Sequence, residues 1–288
     1  VLRNVRSHSI GGDGNQDSHK MSGVDDFAVL DSDFSRCGNE EGGGIDMVGC
    51  HRGVVAGTRL HHLGGRGVQV KGGSAAGCLV GTRCEHAGAR AAHMGGMTGA
   101  AYFRPPLKKA TKEPAEAKRI HVIGNDFIGS TAPVAFIGCM DCLVANNTIV
   151  DPDRWILRIL QETTWAGDLE FAKSGRGRFV NNLIYYRADK LAVTANVGPN
   201  TAPETFHFER NLWFAHDRPD HDPTGGLPVA EKDGIVGKDP KLRSSPNDLR
   251  ICSGSPAEKA GVALPEVAAT RRFGDSLPIG AHTAVACP

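Results

Sequence analysis

An all-β solenoid, a chain wound into stacked coils of short strands, is the fold class that the sequence predicts, and three observations predict it. The first is a pattern of apolar, any, any, small polar, any, apolar. It returns at Val29–Phe34, Val55–Leu60, Leu79–Cys84, Val122–Phe127, Val144–Ile149, Phe179–Ile184 and Phe208–Trp213. The second is a set of four segments that look like versions of one another: Ser18–Gly23, Ile45–Gly49, Val68–Gly73 and Ala92–Gly96. Each roughly alternates apolar and polar residues and then reaches glycine. The third is composition: 37 glycines without a triplet period and only 6% aromatic residues, which means many tight turns rather than collagen or a linker.

A repeat of this length with period-2 strands is a solenoid signature, because a single coil cannot bury its apolar face alone. The fourth position of the first pattern is Ser32, Thr58, Thr82, Asn125, Asn147, Asn182 and Asn211. The two shortest spacings, 22 and 24 residues, fit a bare coil of three strands and three turns; the 43-residue spacing implies an inserted loop. Asn at a matched turn can take up the left-handed region and hydrogen-bond to the Asn of the next coil, so the ladder reads as structural.

The four related segments hold the candidate site. Aligned on Met21, Met47, Val70 and Met94, the residues just before them are Lys20, Asp46, Gln69 and His93. Stacked in parallel, these side chains form one outward row, with Lys71 two positions along from Gln69 on the same face. Asp13–Asp17 has the alternating oxygen ligands of a calcium loop but lacks the closing Glu, and no metal is expected there or elsewhere. Eight cysteines permit disulfides, and the CxxC at Cys139–Cys142 has no partner at zinc-site spacing. No cofactor is expected.

Along the chain, residues 1–214 read as coils, with a Pro- and charge-rich loop at 97–118 that would wall a cleft beside the row. Pro133–Gly138 takes the place of a site strand without charge. In Trp155–Glu162, Arg158 sits in an apolar run, so it either points outward or pairs with Glu162. Residues 215–288 change character and read as a segment covering the open end, with a short helix over Pro256–Gly261. The chain starts without an initiator Met or a signal sequence, which suggests a mature form or a fragment whose N-terminal cap is missing. A net charge of +1 gives no reason to expect nucleic acid or an anionic membrane, and no apolar run is long enough to span a bilayer.

These coils, with Asp239-Pro240, Gly254–Gly261 and Pro278–Ala281 in the tail, resemble the right-handed parallel β-helix proteins of the pectin-lyase-like superfamily. Val68-Gln-Val-Lys-Gly-Gly-Ser74 is similar to the Val/Ile-x-Val-Lys-Ser-Ser strand of the chondroitinase-B and alginate lyase family, polysaccharide lyase family six, whose lysine is a base. Gly88-Ala-Arg-Ala-Ala-His-Met-Gly95 is similar in part to that family's Gly-Ala-Leu-Thr-Leu-Arg-His-Gly. The family's arginine falls on His93 here, with Arg90 three positions earlier. The family's calcium-binding acids before the lysine are replaced by His61-His-Leu-Gly-Gly-Arg66, which argues against calcium.

The resemblance implies an extracellular or periplasmic enzyme, expected to be a monomer, that cleaves an acidic polysaccharide by β-elimination. That chemistry needs the uronate carboxylate neutralised, a base for the adjacent carbon acid and an acid for the leaving oxygen. The expected catalytic residues are Lys71 as base with His93 and Arg90 as acid or carboxylate clamp. Lys20, Asp46, Gln69 and Arg158 would bind substrate. A glycoside hydrolase is the alternative, although the row offers Asp46 without an obvious second acid; a non-catalytic glycan-binding or structural solenoid is another.

Overall fold

Each instance of the six-residue pattern becomes one strand, a tight turn and a second strand. The first strands, such as Ala28–Leu30 and Leu143–Ala145, stack into a first wall; the second strands, such as Asp33–Ser35 and Thr148–Val150, stack into a second wall. The four related segments, followed by Val134–Ile137, Trp155–Leu160 and Val193–Val197, form a third wall. A short ladder, including Ala117–Lys118 and Cys139–Met140, closes one corner. The computed structural model describes residues 1–11, 16–98, 102–104, 113–274 and 277–287, and it is a parallel β-solenoid of about 8 turns.

Parallel register puts like residues over like. The first wall stacks Val29, Val55, Leu79, Val122, Val144, Phe179 and Phe208. The second stacks Phe34, Leu60, Cys84, Phe127, Ile149, Ile184 and Trp213. All of them are buried, and they share one continuous interior with Met47, Val70, Met94 and Phe136 of the third wall. Such apolar columns, spaced by the strand-to-strand distance, supply the burial that no isolated coil achieves.

The asparagine ladder forms as expected. Asn147 Oδ1 accepts from Asn125 N at 2.9 Å, Asn182 Oδ1 from Asn147 N at 3.0 Å, and Asn211 Oδ1 from Asn182 N at 2.8 Å. The left-handed conformation, however, falls one residue earlier, at Gly124, Asn146, Asn181 and Arg210. The ladder residue must keep its side chain turned inward beneath the coil, so the residue before it makes the turn. The ladder ends on Glu231, whose carboxylate accepts from Asn211 N at 2.9 Å.

Winding continues past 214: Glu231–Lys232 and Ile235–Val236 extend the first and second walls. Between them and Ala215 the third wall gets no strand; instead Leu227 and Val229 pack on the main core. The later residues do not cover the end. They lie along the outside, with Leu264 and Val267 against Ile123, Leu143 and Val180 of the first wall, and Ile251, Ala257 and Ile279 against Leu183 and Leu212 of the second. The left-handed asparagines anchor them: Asn146 Nδ2 donates to Pro278 O and Asn181 Nδ2 to Val262 O, both at 2.8 Å. Pro256–Gly261 makes turns rather than a helix; Glu258 N reaches Ser255 O at 3.0 Å and Lys259 turns left-handed, which stops propagation. Disulfides join Cys139 to Cys142 and Cys252 to Cys287, while Cys37, Cys50 and Cys84 are buried free thiols.

Two outcomes follow for stability. Asn182→Ala removes the acceptor that serves both Asn147 N and Asn147 Nδ2, and urea unfolding should show a loss of about 1–3 kcal/mol for each donor left buried and unpaired. Burial raises the Glu231 carboxyl from 4.5 to about 7, so the folded state holds a proton that the unfolded state releases. Its contribution to stability is therefore full below 4.5 and lost as pH rises to about 7. Glu231→Gln keeps the acceptor without the titration, so its melting temperature should exceed the parent's above pH 7, with the gap closing toward 4.5.

Candidate functional site

The third wall brings the expected residues into one register. Lys20 lies beside Asp46, Asp46 beside Gln69, Gln69 beside His93, His93 beside Ala135, Ala135 beside Arg158, and Arg158 beside Asn196. Their neighbours along each strand, Met21, Met47, Val70, Met94, Phe136 and Ile159, point into the core, which forces the row outward. Lys71 sits beside Val48 on the same face.

The centre of the row is buried, while Lys20 at one end is exposed and Arg158 at the other is half-buried. Asp46 is 1% exposed, His93 1%, Gln69 3% and Lys71 9%. The chain just beyond the His93 strand covers it: Gly96 passes so close that a Cβ there would lie 2.5 Å from Gln69 Nε2. Of the loop expected at 97–118, residues 99–101 and 105–112 lie outside the described residues, so the cleft wall is not addressed there. Of the described parts, Met97 and Tyr102 are exposed, whereas Arg104 and Glu116 lie against the coils. Arg104 N donates to Gly72 O at 2.9 Å, and Arg104 Nη1 reaches Asp25 Oδ1 at 3.5 Å. Glu116, fully buried, accepts from Gly72 N at 2.7 Å and from Thr98 N at 3.0 Å, and burial pushes its carboxyl up.

A charged network runs along the covered face. Asp46 Oδ2 lies 3.0 Å from Lys20 Nζ and 3.3 Å from Lys71 Nζ. Lys71 Nζ also donates to Gln69 Oε1 at 3.2 Å, and Gln69 Nε2 to Gly95 O at 3.2 Å. Among the described residues, Asp46 Oδ1 is buried without a hydrogen-bond partner. On the other side, Arg90 Nη1 lies 3.4 Å from His93 Nε2 and 3.5 Å from Glu162 Oε1. Glu162 thus pairs with Arg90 rather than Arg158. Arg158 donates to Asn196 Oδ1 at 3.0 Å and lays its guanidinium 4.6 Å from the Trp155 ring.

Electrostatics divides the roles. Burial, reinforced by Arg90, Arg66, Lys71 and Arg158, drives the His93 imidazole well below its ordinary value and keeps it uncharged at neutral pH. Burial, with Arg158 and Arg66 close by, pulls Arg90 down to about 10 against the attraction of Glu162, so it stays a cation at neutral pH. An uncharged imidazole can accept a proton, and the positive charge on this side of the wall resides on the arginines.

Two acids were missed in the sequence. Glu116 belongs to a stretch without the repeat, so no alignment puts it near Lys71. Asp17 falls just before the first aligned segment, at the end of the Asp13–Asp17 stretch where no metal is expected and of which 13–15 lie outside the described residues. Its carboxylate accepts from Gly43 N at 2.8 Å and stands 3.6 Å from Lys20 Nζ, and burial and Asp46 together raise its pKa. Asp17 and Asp46 therefore flank one ammonium, the second acid that the row lacked on paper. Among the described residues no group of three or more His, Cys, Asp or Glu is placed to hold a metal ion.

The molecule is thus a parallel β-solenoid carrying on one wall a row of polar and charged side chains whose centre is covered. Comparison with protein-family models, with curated proteins and with solved structures finds no match to this chain.

Removing Asp46 strands Lys71 in a buried position. Asp46→Ala should cost about 3–5 kcal/mol, the scale for breaking a buried pair from one side. Adding Lys71→Met should recover part of that loss, which a double-mutant cycle by urea unfolding would read as a coupling between the two sites.

Proposed function

We propose that this protein binds an acidic, uronic-acid-containing polysaccharide along its third wall and cleaves it by β-elimination. The observation that carries the reading is that one wall holds a buried lysine, an uncharged imidazole on the neighbouring strand and three arginines around them. Arg66, Arg90 and Arg158 supply positive charge to neutralise a uronate carboxylate, which acidifies the neighbouring carbon. We assign the roles opposite to those the lyase resemblance implies, because His93 is uncharged at neutral pH and Lys71 is ion-paired with Asp46. The uncharged His93 takes the carbon-bound proton; the Lys71 ammonium gives a proton to the leaving oxygen. The bond to that oxygen breaks as the double bond forms, and the proton on His93 returns to Lys71 through solvent. Substrate reaches the pair once the backbone at Gly96 moves off Lys71. The resemblance to pectin-lyase-like proteins and to polysaccharide lyase family six supports the same reading. The site of action would be outside the cytoplasm.

A second reading, glycoside hydrolysis, is favoured by Asp17 and Asp46. Two carboxyl groups on either side of one ammonium, the first with a raised pKa, match an acid and base pair.

A panel of alginate, pectate and glycosaminoglycans separates the outcomes. Ultraviolet-absorbing unsaturated ends support elimination; reducing ends without them mean hydrolysis; retention without either means a binding module. If elimination is observed, Lys71→Ala and His93→Ala should each lower kcat/KM by about 10²-fold or more, while Arg158→Gln acts mainly on KM. Because the His93 pKa is lowered, activity should persist as pH falls through 6.5 and fail only well below it. Full activity in Lys71→Ala would remove that residue from the mechanism.

A further inference from the structure

On the far side of the molecule, the C-terminal segment lies across the second wall and leaves a hollow of about 360 Å³, lined by Thr82, Arg83, Asp126, Arg250, Phe273 and His282. Asp126 is buried, and His282 reaches it from the tail, with Nε2 2.8 Å from Oδ1 and 3.0 Å from Oδ2. A carboxylate only accepts, so Nε2 carries a hydrogen toward Asp126, and Nδ1 is the ring nitrogen left over. Arg83 is committed, with Nε on Glu85 at 2.8 Å and Nη2 on Pro246 O at 2.7 Å. Arg250 spends Nε and Nη2 on Asp248 at 2.9 and 2.6 Å. Among the described residues, Arg250 Nη1 and His282 Nδ1 make no hydrogen bond.

We infer that this hollow is a binding site for a small hydroxy acid, a molecule carrying a carboxylate close to a hydroxyl. The carboxylate accepts from Arg250 Nη1, and the hydroxyl, which can both donate and accept, pairs with Nδ1 of the His282 ring that Asp126 holds in place. Phe273 offers an apolar side to the carbon skeleton. The volume falls within the range of small-ligand pockets. A tie between tail and coils would need only the Asp126–His282 contact. It would not need a hollow, nor a second donor left over beside it. The site is on a different wall from the charged row and stands whether or not that row is catalytic.

The test is a nuclear magnetic resonance titration of the whole chain, following the backbone amides of Thr82 and Thr283, with galacturonate as probe and acetate and inorganic phosphate as comparators. Galacturonate should shift both amides saturably and more strongly than either comparator. Arg250→Gln, a change at an exposed side chain, should weaken the apparent affinity at least about tenfold, the scale for losing one charged hydrogen bond. His282→Phe should do the same, with its fold checked by circular dichroism. If His282→Phe does not fold, the Arg250→Gln result decides. No saturable shift with galacturonate, or an unchanged response in Arg250→Gln, overturns the proposal. An equal response to acetate or phosphate also overturns it, because the hydroxyl would then contribute nothing.

Discussion

Each ladder asparagine gives its carbonyl oxygen to the backbone of the coil before it and its amide to a carbonyl beneath. Asn182 does both, with Asn147 N at 3.0 Å and Val144 O at 3.1 Å. Because these groups are buried, a coil that slipped by one residue would leave them unpaired and would also turn its third-wall strand inside out. Alternation on a strand has period two, so the register that stacks Met21, Met47, Val70 and Met94 inward stacks Lys20, Asp46, Gln69 and His93 outward. The apolar interior and the charged row are two faces of one constraint.

That row is costly to maintain. Taking an ion out of water costs several kcal/mol even after relaxation, and among the described residues Asp46 and Gln69 offset it for Lys71. His93 avoids the cost by staying neutral among cations. A surface meant only to be soluble would carry the same residue types in water; here the chain covers them, fixing their protonation states and geometry in advance. Preorganisation of this kind is what proton transfer and carboxylate binding require.

Much of this was legible before any coordinates. The six-residue pattern located the first two walls, and the four related segments gave the row in correct register, because both recur from coil to coil. What stayed hidden lacks a period. The backbone at Gly96 and the carboxylate of Glu116 belong to an excursion, and nothing in their sequence says that they lie over Lys71. The direction of the tail was equally illegible: its apolar residues suit an open end as well as the outer walls, and only the outward Asn146 and Asn181 decide between them. Arg158 had two readings, and Trp155 and Asn196 settled it by offering a ring face and an acceptor.

The excursions share an exit. The stretch after Gly95 and the hairpin formed by Trp165–Ala166 and Leu169–Glu170 both leave the third wall and rejoin at the short ladder, at Ala117–Lys118 and Ser174–Gly175. They are pinned to each other by Phe103 against Phe171 and by Thr163 Oγ1 donating to Gly96 O at 3.1 Å. At that corner the winding tolerates extra length without a change of pitch, since the coils on either side stay paired. Insertions and deletions accumulating there would redecorate a single side of the molecule while its frame stayed the same, so descendants of this chain could diverge in what they recognise long before they diverge in how they fold.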